Sequence, residues 1–280
     1  PDLYKIADRL GLLIFQDFPL QRGYSRTIRS EAIKQSARLV QQLGHHPSIV
    51  LWNGHNEPLP NDGTSEPLDS RKQGSKFGSS MLLRQQLPSW NRSILDRSVK
   101  RSFEKADPTR PVIAHSGVAP PLPQLDGTDS HLWFGWRHGQ LSDLQTMASR
   151  IPRLVRFVSE FGAQSLPTNQ DIANICGSDN FPNIDTEALT RSGADLRLIE
   201  RHTPIHESAT GDDWVVASQE RQSQLIRHTI EILRTLKYQP TGGYCQFVFA
   251  DALPFVSSSV LDHERTPKKA WHALNDASRP

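Results

Sequence analysis

Short apolar runs alternate with segments of helical periodicity along this chain, and that alternation limits the possible folds more than any other feature. Six runs have the length and composition of strands. They cover residues 12–17, 48–54, 111–116, 130–134, 154–160 and 243–250. No hairpin signal joins one run directly to the next, so each strand must cross over to reach its neighbour. We therefore expect an α/β fold with a parallel sheet.

Amphipathic segments separate most of the runs. In the first of them, residues 3–10, apolar side chains fall at i, i+3, i+4 and i+7, and Gly11 is placed to end a helix. Further helices are predicted at residues 30–44, 91–107, 141–147, 225–233 and 267–274. Because the chain opens inside a helix, we expect further sequence to precede Pro1 in the whole protein.

Two folds of this class fit the pattern, a doubly wound sheet and a (β/α)8 barrel. No GxGxxG follows the first strand and no GxxxxGK[ST] occurs, which disfavours the nucleotide-binding versions. The stretch 58–90, rich in Pro, Gly, Ser and charge, and the mixed helix and loop of 161–217 are predicted insertions in one domain spanning 1–280. In either fold the functional residues lie at the C-terminal ends of strands.

Composition excludes several classes of protein. The chain of 280 residues carries 32 Lys and Arg against 30 Asp and Glu, so it lacks the excess of basic residues that is typical of nucleic-acid-binding proteins. No apolar run approaches the roughly 20 residues of a membrane span, and 2 cysteines cannot form a disulfide framework. His45 and His46 are adjacent and cannot both face one ion easily, and His202 and His206 stand at i, i+4 without the glutamate of an HExxH motif, so no metal is expected.

Two glutamates follow strongly predicted strands, Glu57 after residues 48–54 and Glu160 at the end of 154–160. In a barrel both would point into the same mouth. Two carboxylates in one cleft can divide into a general acid/base and a nucleophile, as retaining glycoside hydrolysis requires at a separation of about 5–5.5 Å. The alternative for either residue is a glutamate that is solvated or paired with an arginine.

Two motifs carry a family resemblance. HHPSIVLWNGHNE (residues 45–57) and RFVSEFGAQSLP (156–167) resemble the active-site strands of family 2 glycoside hydrolases, in the β-mannosidase-like branch. The resemblance extends to residues 8–19, 129–139 and 260–274. It implies a (β/α)8 barrel in which the strands leading to Glu57 and Glu160 are the fourth and seventh. The first two strands would then be missing from this chain, and upstream β-sandwich domains would precede them.

The resemblance also implies residue roles. Glu57 would be the acid/base, Asn56 would hydrogen-bond the sugar 2-hydroxyl, and Glu160 would be the nucleophile that forms the glycosyl-enzyme. The substrate would be a β-linked oligosaccharide or glycoside, cleaved from its end, with neither nucleic acid nor membrane as a partner. This mechanism needs no cofactor.

Other residues have two interpretations each. Trp133 and Trp136 are candidates for a sugar-stacking platform, or they anchor a loop. His131 lies near the nucleophile in the family pattern and would orient it, or it is a core histidine. Asp17 would contact a sugar hydroxyl, or it has a capping or loop role. Trp52, inside its strand, is predicted to be core.

The sequence departs from the family pattern at three places. Leu132 stands where relatives usually carry a tyrosine, residues 245–254 lack an expected tryptophan, and His55 replaces an asparagine. Phe247 or Phe249 would substitute as an apolar wall. These departures keep two alternatives open: the same mechanism on a β-galactoside, β-glucuronide or β-glucosaminide, and a non-catalytic carbohydrate-binding remnant of a barrel.

Overall fold

The computed structural model describes residues 2–58, 89–118, 129–177 and 181–279. Most of the predicted insertion at 58–90 therefore lies outside the described residues. The chain divides into two compact units, residues 1–131 and residues 132–280. We call them the first and the second unit and describe each by itself.

Among the residues of the first unit that the structure describes, three helices and four strands are found. The helices are α1 (Asp2–Leu10), α2 (Arg29–Leu43) and α3 (Asp96–Ala106). A 3-10 turn, Arg26–Ile28, leads into α2, and a π-helical turn, Asn91–Leu95, leads into α3. The strands are β1 (Ile14–Asp17), β2 (Ile49–Asn53), β3 (Val112–Ile113) and β4 (Ser130–His131).

The sheet of the first unit has the order β1-β2-β3, and both pairings are parallel, as the alternating pattern predicts. β3 is shorter than the predicted run of 111–116. Backbone hydrogen bonds nevertheless continue the contact past the strand ends, from Gly54 N–H to the Ile113 carbonyl at 3.1 Å and from Ser116 N–H to the His55 carbonyl at 2.9 Å. This extension carries the chain after β2 alongside the chain after β3.

The core of the first unit lies between the sheet and its helices. Leu95, Val99 and Phe103, spaced four apart on one helical face, are fully buried. Trp52 is also fully buried, as predicted, and its ring stacks on Phe103 with centroids 5.4 Å apart. The core prediction for Trp52 is confirmed.

In its described ranges, 132–177 and 181–279, the second unit has six helices and two strands. The helices are α4 (Asp143–Arg150), α5 (Asn169–Cys176), α6 (Thr186–Arg191), α7 (Leu196–His202), α8 (Gly211–Thr235) and α9 (Lys269–Ser278). The strands are β5 (Phe157–Glu160) and β6 (Gly243–Tyr244), which pair in parallel. The described ranges also contain two 3-10 turns, Pro152–Val155 and Ile205–Glu207.

The last predicted strand, 243–250, is wrong beyond Tyr244. The backbone first follows β5, with Cys245 N–H donating to the Val158 carbonyl at 2.8 Å. It then changes partner, and Val248 N–H donates to the Ser258 carbonyl at 3.2 Å. A strand cannot continue where its ladder of hydrogen bonds moves to another segment.

Helix α8 is long and contributes many buried residues to the second unit. This helix of 25 residues begins with a capping box, in which the side chains of Thr210 and Asp213 each accept a hydrogen bond from the backbone N–H of the other residue. Its predicted apolar positions, Leu225, Ile226 and Leu233 among them, are buried. Searched over the described parts of the chain, no helix has both the length and the apolar character needed to cross a membrane.

Candidate functional site

Glu57 lies beyond the end of β2 in an unusual backbone conformation. Its φ is +47°, in the left-handed region that side-chain-bearing residues rarely adopt. The Glu57 N–H donates to the Ser116 carbonyl at 3.1 Å, which helps to hold this conformation. Its carboxylate Oε1 lies 2.8 Å from His131 Nδ1, and 31% of the side chain is exposed. A carboxyl group that is both anchored and accessible is suited to exchanging protons with a ligand.

Asn56 is held through its backbone. Its N–H donates to the Leu20 carbonyl at 2.8 Å, and its carbonyl accepts from Arg22 N–H at 3.0 Å. The half-buried side-chain amide makes no hydrogen bond to any other residue that the structure describes. A fixed backbone with an uncommitted amide leaves that amide able to bind a ligand hydroxyl.

A buried polar chain lies behind Glu57. His131, which contacts Glu57 through Nδ1, has its Nε2 3.1 Å from Ser116 Oγ. The Ser116 hydroxyl in turn donates to Asp129 Oδ2 at 2.6 Å. The carboxyl group of Asp129 also lies 3.8 Å from His131 Nε2. Within its own unit His131 contacts Glu57, the expected acid/base, and its expected role in orienting the nucleophile stays a prediction.

A second buried cluster lies directly before Glu57 in sequence. Asp96, fully buried at the start of α3, accepts from His55 Nδ1 at 2.7 Å and lies 3.1 Å from His115 Nδ1. Both imidazoles therefore present Nε2 away from the carboxylate, and both Nε2 atoms are buried without a hydrogen-bond partner among the described residues. His55, the departure from asparagine noted above, is thus one arm of a His–Asp–His cluster that ties the chain after β2 to the chain after β3.

Asp17 ends β1. Asn53 Nδ2 donates to its Oδ1 at 2.7 Å. Partial removal of the carboxyl group from water raises the pKa of Asp17, although the residue as a whole stays exposed. The hydrogen bond from Asn53 opposes this rise, and the negative charge of Asp129 adds to it. Burial is the largest cause of the raised pKa, so the contact of Asp17 with a sugar hydroxyl stays a prediction.

Glu160 is the last residue of β5 and is partly exposed. Its carbonyl accepts from Leu132 N–H at 2.8 Å, which fixes the strand end. Gly162, two residues later, has a φ of +154°, and a Cβ there would lie 2.7 Å from the Phe247 carbonyl. The glycine of the SEFG motif is therefore required for the backbone of residues 160–162 to pass close to Phe247.

The two candidate stacking tryptophans are mostly buried in the core of the second unit. Trp133 is 9% exposed and meets Phe247 edge-on, with centroids 5.7 Å apart. Trp136 is 3% exposed and stacks on His202 at 5.0 Å. These contacts favour the loop-anchor alternative, because little ring face remains for a sugar. Phe247 itself is 41% exposed, so an apolar wall at this position stays a prediction.

Sequence reasoning missed Ser116, Asp129, Asp96 and His115. Asp129 and His131 are two residues apart in an extended segment, so their side chains leave the strand on the same side, and this spacing could have indicated a pair. Asp96 has no comparable signal. It begins a helix in which basic residues such as Arg97 and Lys100 are prominent, and its partners are remote in sequence.

Curated proteins and solved structures resemble this chain at low identity. No family model matches the chain. The chain is 28% identical to β-mannosidase B of Thermothelomyces thermophilus, over 99% of this chain and 34% of that protein. It is 24% identical to β-mannosidase of Capra hircus, over 86% of this chain and 28% of that protein. The chain thus spans about a third of the length of these relatives.

The solved structures include a β-D-mannosidase from Dictyoglomus thermophilum, matched with a TM-score of 0.70 and 22% identity over 99% of this chain and 33% of that one. A β-glucuronidase from Bacteroides uniformis matches with a TM-score of 0.62 and 16% identity, over 99% of this chain and 29% of that one. At these identities the structures establish the fold that is shared. Together with the curated relatives, they support a relationship, at low identity, to the β-glycosidases of glycoside hydrolase family 2.

Proposed function

We propose that this chain carries the catalytic residues of a retaining β-glycosidase of the β-mannosidase type. Glu57 is the general acid/base and Glu160 is the nucleophile. In the first step the Glu160 carboxylate attacks the anomeric carbon while Glu57 protonates the departing oxygen. In the second step Glu57 takes a proton from water, and the water oxygen displaces Glu160.

The observation that carries this proposal is the environment of Glu57. Its accessible carboxyl group lies 2.8 Å from a buried imidazole, next in sequence to an asparagine whose amide is uncommitted. A general acid/base needs a proton partner and access to the ligand at the same time. Asn56 then supplies the hydrogen bond to the sugar 2-hydroxyl that strengthens as the transition state forms.

The substrate class follows from the same residues. Asn56 and Asp17 are polar groups suited to sugar hydroxyls, and the relatives at 28% and 24% identity are β-mannosidases. A β-linked mannoside is therefore the proposed substrate. The polar departure at His55 and the apolar Leu132 make a different β-linked sugar the alternative, and a panel of aryl β-glycosides separates the two.

The test is hydrolysis of aryl β-mannosides by the chain and by matched Glu→Gln variants. Glu57→Gln and Glu160→Gln are each expected to lose at least a hundredfold in turnover, while Glu104→Gln on the exposed face of α3 keeps it. With an activated substrate, azide should rescue an alanine variant of either glutamate. The azide product has the β configuration for Glu57→Ala and the α configuration for Glu160→Ala. Turnover unchanged in either glutamine variant contradicts the assignment.

A further inference from the structure

The hydrogen bonds around His131 determine where its ring carries a hydrogen. The Ser116 hydroxyl donates its one hydrogen to Asp129 Oδ2, at 2.6 Å. The same Ser116 Oγ lies 3.1 Å from His131 Nε2, and with no second hydrogen to give it accepts there. Nε2 of His131 is therefore the protonated nitrogen.

The other ring nitrogen, Nδ1, faces Glu57. It lies 2.8 Å from Oε1, a distance at which two lone pairs repel unless a hydrogen lies between them. Because Nε2 is already protonated, that hydrogen is either the acid proton of a neutral Glu57 or the second proton of an imidazolium. In both states the pair of Glu57 and His131 holds one transferable proton.

Packing fixes the ring as firmly as the hydrogen bonds do. His131, Ser116 and Asp129 are 7%, 3% and 4% exposed. Gly117 has a φ of +74°, and a Cβ at that position would overlap the His131 ring. The imidazole therefore cannot exchange its two nitrogens without displacing its neighbours.

We infer that Ser116 and Asp129 are positioning residues that hold His131 in the Nε2–H form and so keep a proton at the contact between Glu57 and His131. This inference deepens the proposed function, and its kinetic consequences rest on it. In the first step the proton passes from Glu57 to the glycosidic oxygen as the bond from the anomeric carbon to that oxygen breaks. In the second step Glu57 takes a proton from the attacking water, so the pair of Glu57 and His131 again holds one transferable proton.

The direct test reads the hydrogen position without requiring activity. Ring-nitrogen NMR on chain labelled with ¹⁵N-histidine distinguishes the two neutral tautomers, and His131→Gln assigns the signal. We expect Nε2 to carry a hydrogen in the unaltered chain, and the ratio of the two neutral forms is read at a pH high enough for the spectrum to show a neutral ring. Ser116→Ala removes the acceptor, so the ratio of Nε2–H to Nδ1–H forms should fall about tenfold. Ser116→Thr, which keeps the hydroxyl, should restore it.

Two results overturn the inference: a neutral His131 that carries its hydrogen on Nδ1 in the unaltered chain, or a tautomer ratio that Ser116→Ala leaves unchanged. If Ser116→Ala does not fold, Asp129→Asn provides the same measurement. An amide there can donate to Ser116 and turn the hydroxyl hydrogen toward Nε2, so the Nε2–H fraction should again fall.

A kinetic measurement extends the test. Ser116→Ala should slow hydrolysis of aryl mannosides with poor leaving groups about tenfold, and hydrolysis of a dinitrophenyl mannoside less than twofold, because a good leaving group needs little acid assistance. Equal slowing of both contradicts the inference while leaving the proposed function intact. Absence of turnover on every aryl glycoside contradicts the proposed function, and the NMR result still decides the inference.

Discussion

Replacing Asp107 tests the physical account of the first unit, because this carboxylate joins the end of α3 to β2. It accepts hydrogen bonds from Trp52 Nε1 at 2.9 Å and from the Arg110 guanidinium at 2.6 Å. Thr109 donates twice more, from its backbone N–H at 3.0 Å and from its hydroxyl. Arg110 also donates to the carbonyl of Ile49 at 2.6 Å, so the cluster reaches the first residue of β2.

The size of the effect follows from what each partner loses. Asp107→Ala leaves the buried indole N–H of Trp52 without an acceptor, at about 1–3 kcal/mol. Arg110 loses its buried counter-charge but keeps its backbone acceptors, and the contacts of Thr109 are partly solvated. We therefore expect a loss of about 3–4 kcal/mol in the free energy of unfolding. Asp107→Asn keeps an acceptor for Trp52 and should lose about 1–2 kcal/mol.

The pH dependence of this contribution has a definite sign. Burial alone would raise the pKa of Asp107, but the hydrogen bonds from Thr109, Trp52 and Arg110 outweigh it and hold the pKa well below its usual range. A carboxyl group with a lowered folded-state pKa stabilises the fold above its unfolded pKa, near 4, and loses that contribution as the pH falls toward its folded value. The gap between the wild-type chain and Asp107→Asn should therefore narrow below about pH 4.

Urea unfolding followed by circular dichroism measures these differences, with the slope against denaturant checked for constancy. Glu104→Gln is the matched control, because this residue lies on the exposed face of the same helix and forms an exposed ion pair with Lys100 at 3.6 Å. It should change stability by less than about 0.5 kcal/mol. If both Asp107 variants unfold like the control, the account of this cluster is wrong.

Three further variants test other parts of the structure. Asp96→Asn should cost about 2–3 kcal/mol in urea unfolding, because one of its two buried imidazole donors loses its acceptor; a loss below 0.5 kcal/mol (about the noise of a surface change) would contradict it. Gly162→Ala should lower turnover at least tenfold, since its Cβ would collide with the Phe247 carbonyl; unchanged kinetics would contradict the close approach. The hydrogen bond from His46 is the largest cause of the low pKa of Asp8, about 2, and hydrogen bonds from Ser48 also lower it, so an NMR titration of the Asp8 carboxyl should give about 2 in the unaltered chain and a higher pKa in His46→Ala; identical titrations would contradict it.

Local periodicity predicted much of the fold. The spacing of Leu95, Val99 and Phe103 predicted the buried face of α3 and of the turn before it, and the apolar run at 48–54 predicted β2. The strand predicted at 243–250 was wrong beyond Tyr244, because an apolar sequence does not show which backbone carbonyls its N–H groups will bond. From Val248 onward those partners come from Ser258 and the residues that follow it.

Some residues of the candidate site were predictable from local sequence, and others were not. Motifs pointed to Glu57 and Glu160, because the residues that identify them are adjacent in sequence. The partners of Glu57 were not predictable in this manner, since the Ser116 hydroxyl meets His131 only after two separate strands have been placed. His55 and Asp96, 41 residues apart, meet through the packing of α3 on the sheet and through nothing in the local pattern.

The central claim is that Glu160 is the nucleophile of a retaining β-glycosidase. Incubation with 2-deoxy-2-fluoro-β-mannosyl fluoride, followed by intact-mass measurement and peptide mapping, tests it most directly, because the fluorine slows release of a glycosyl-enzyme. The account predicts a single fluoromannosyl adduct on the peptide that contains Glu160, and its absence in Glu160→Gln. An adduct on another residue, or hydrolysis of β-mannosides without any adduct, would contradict it.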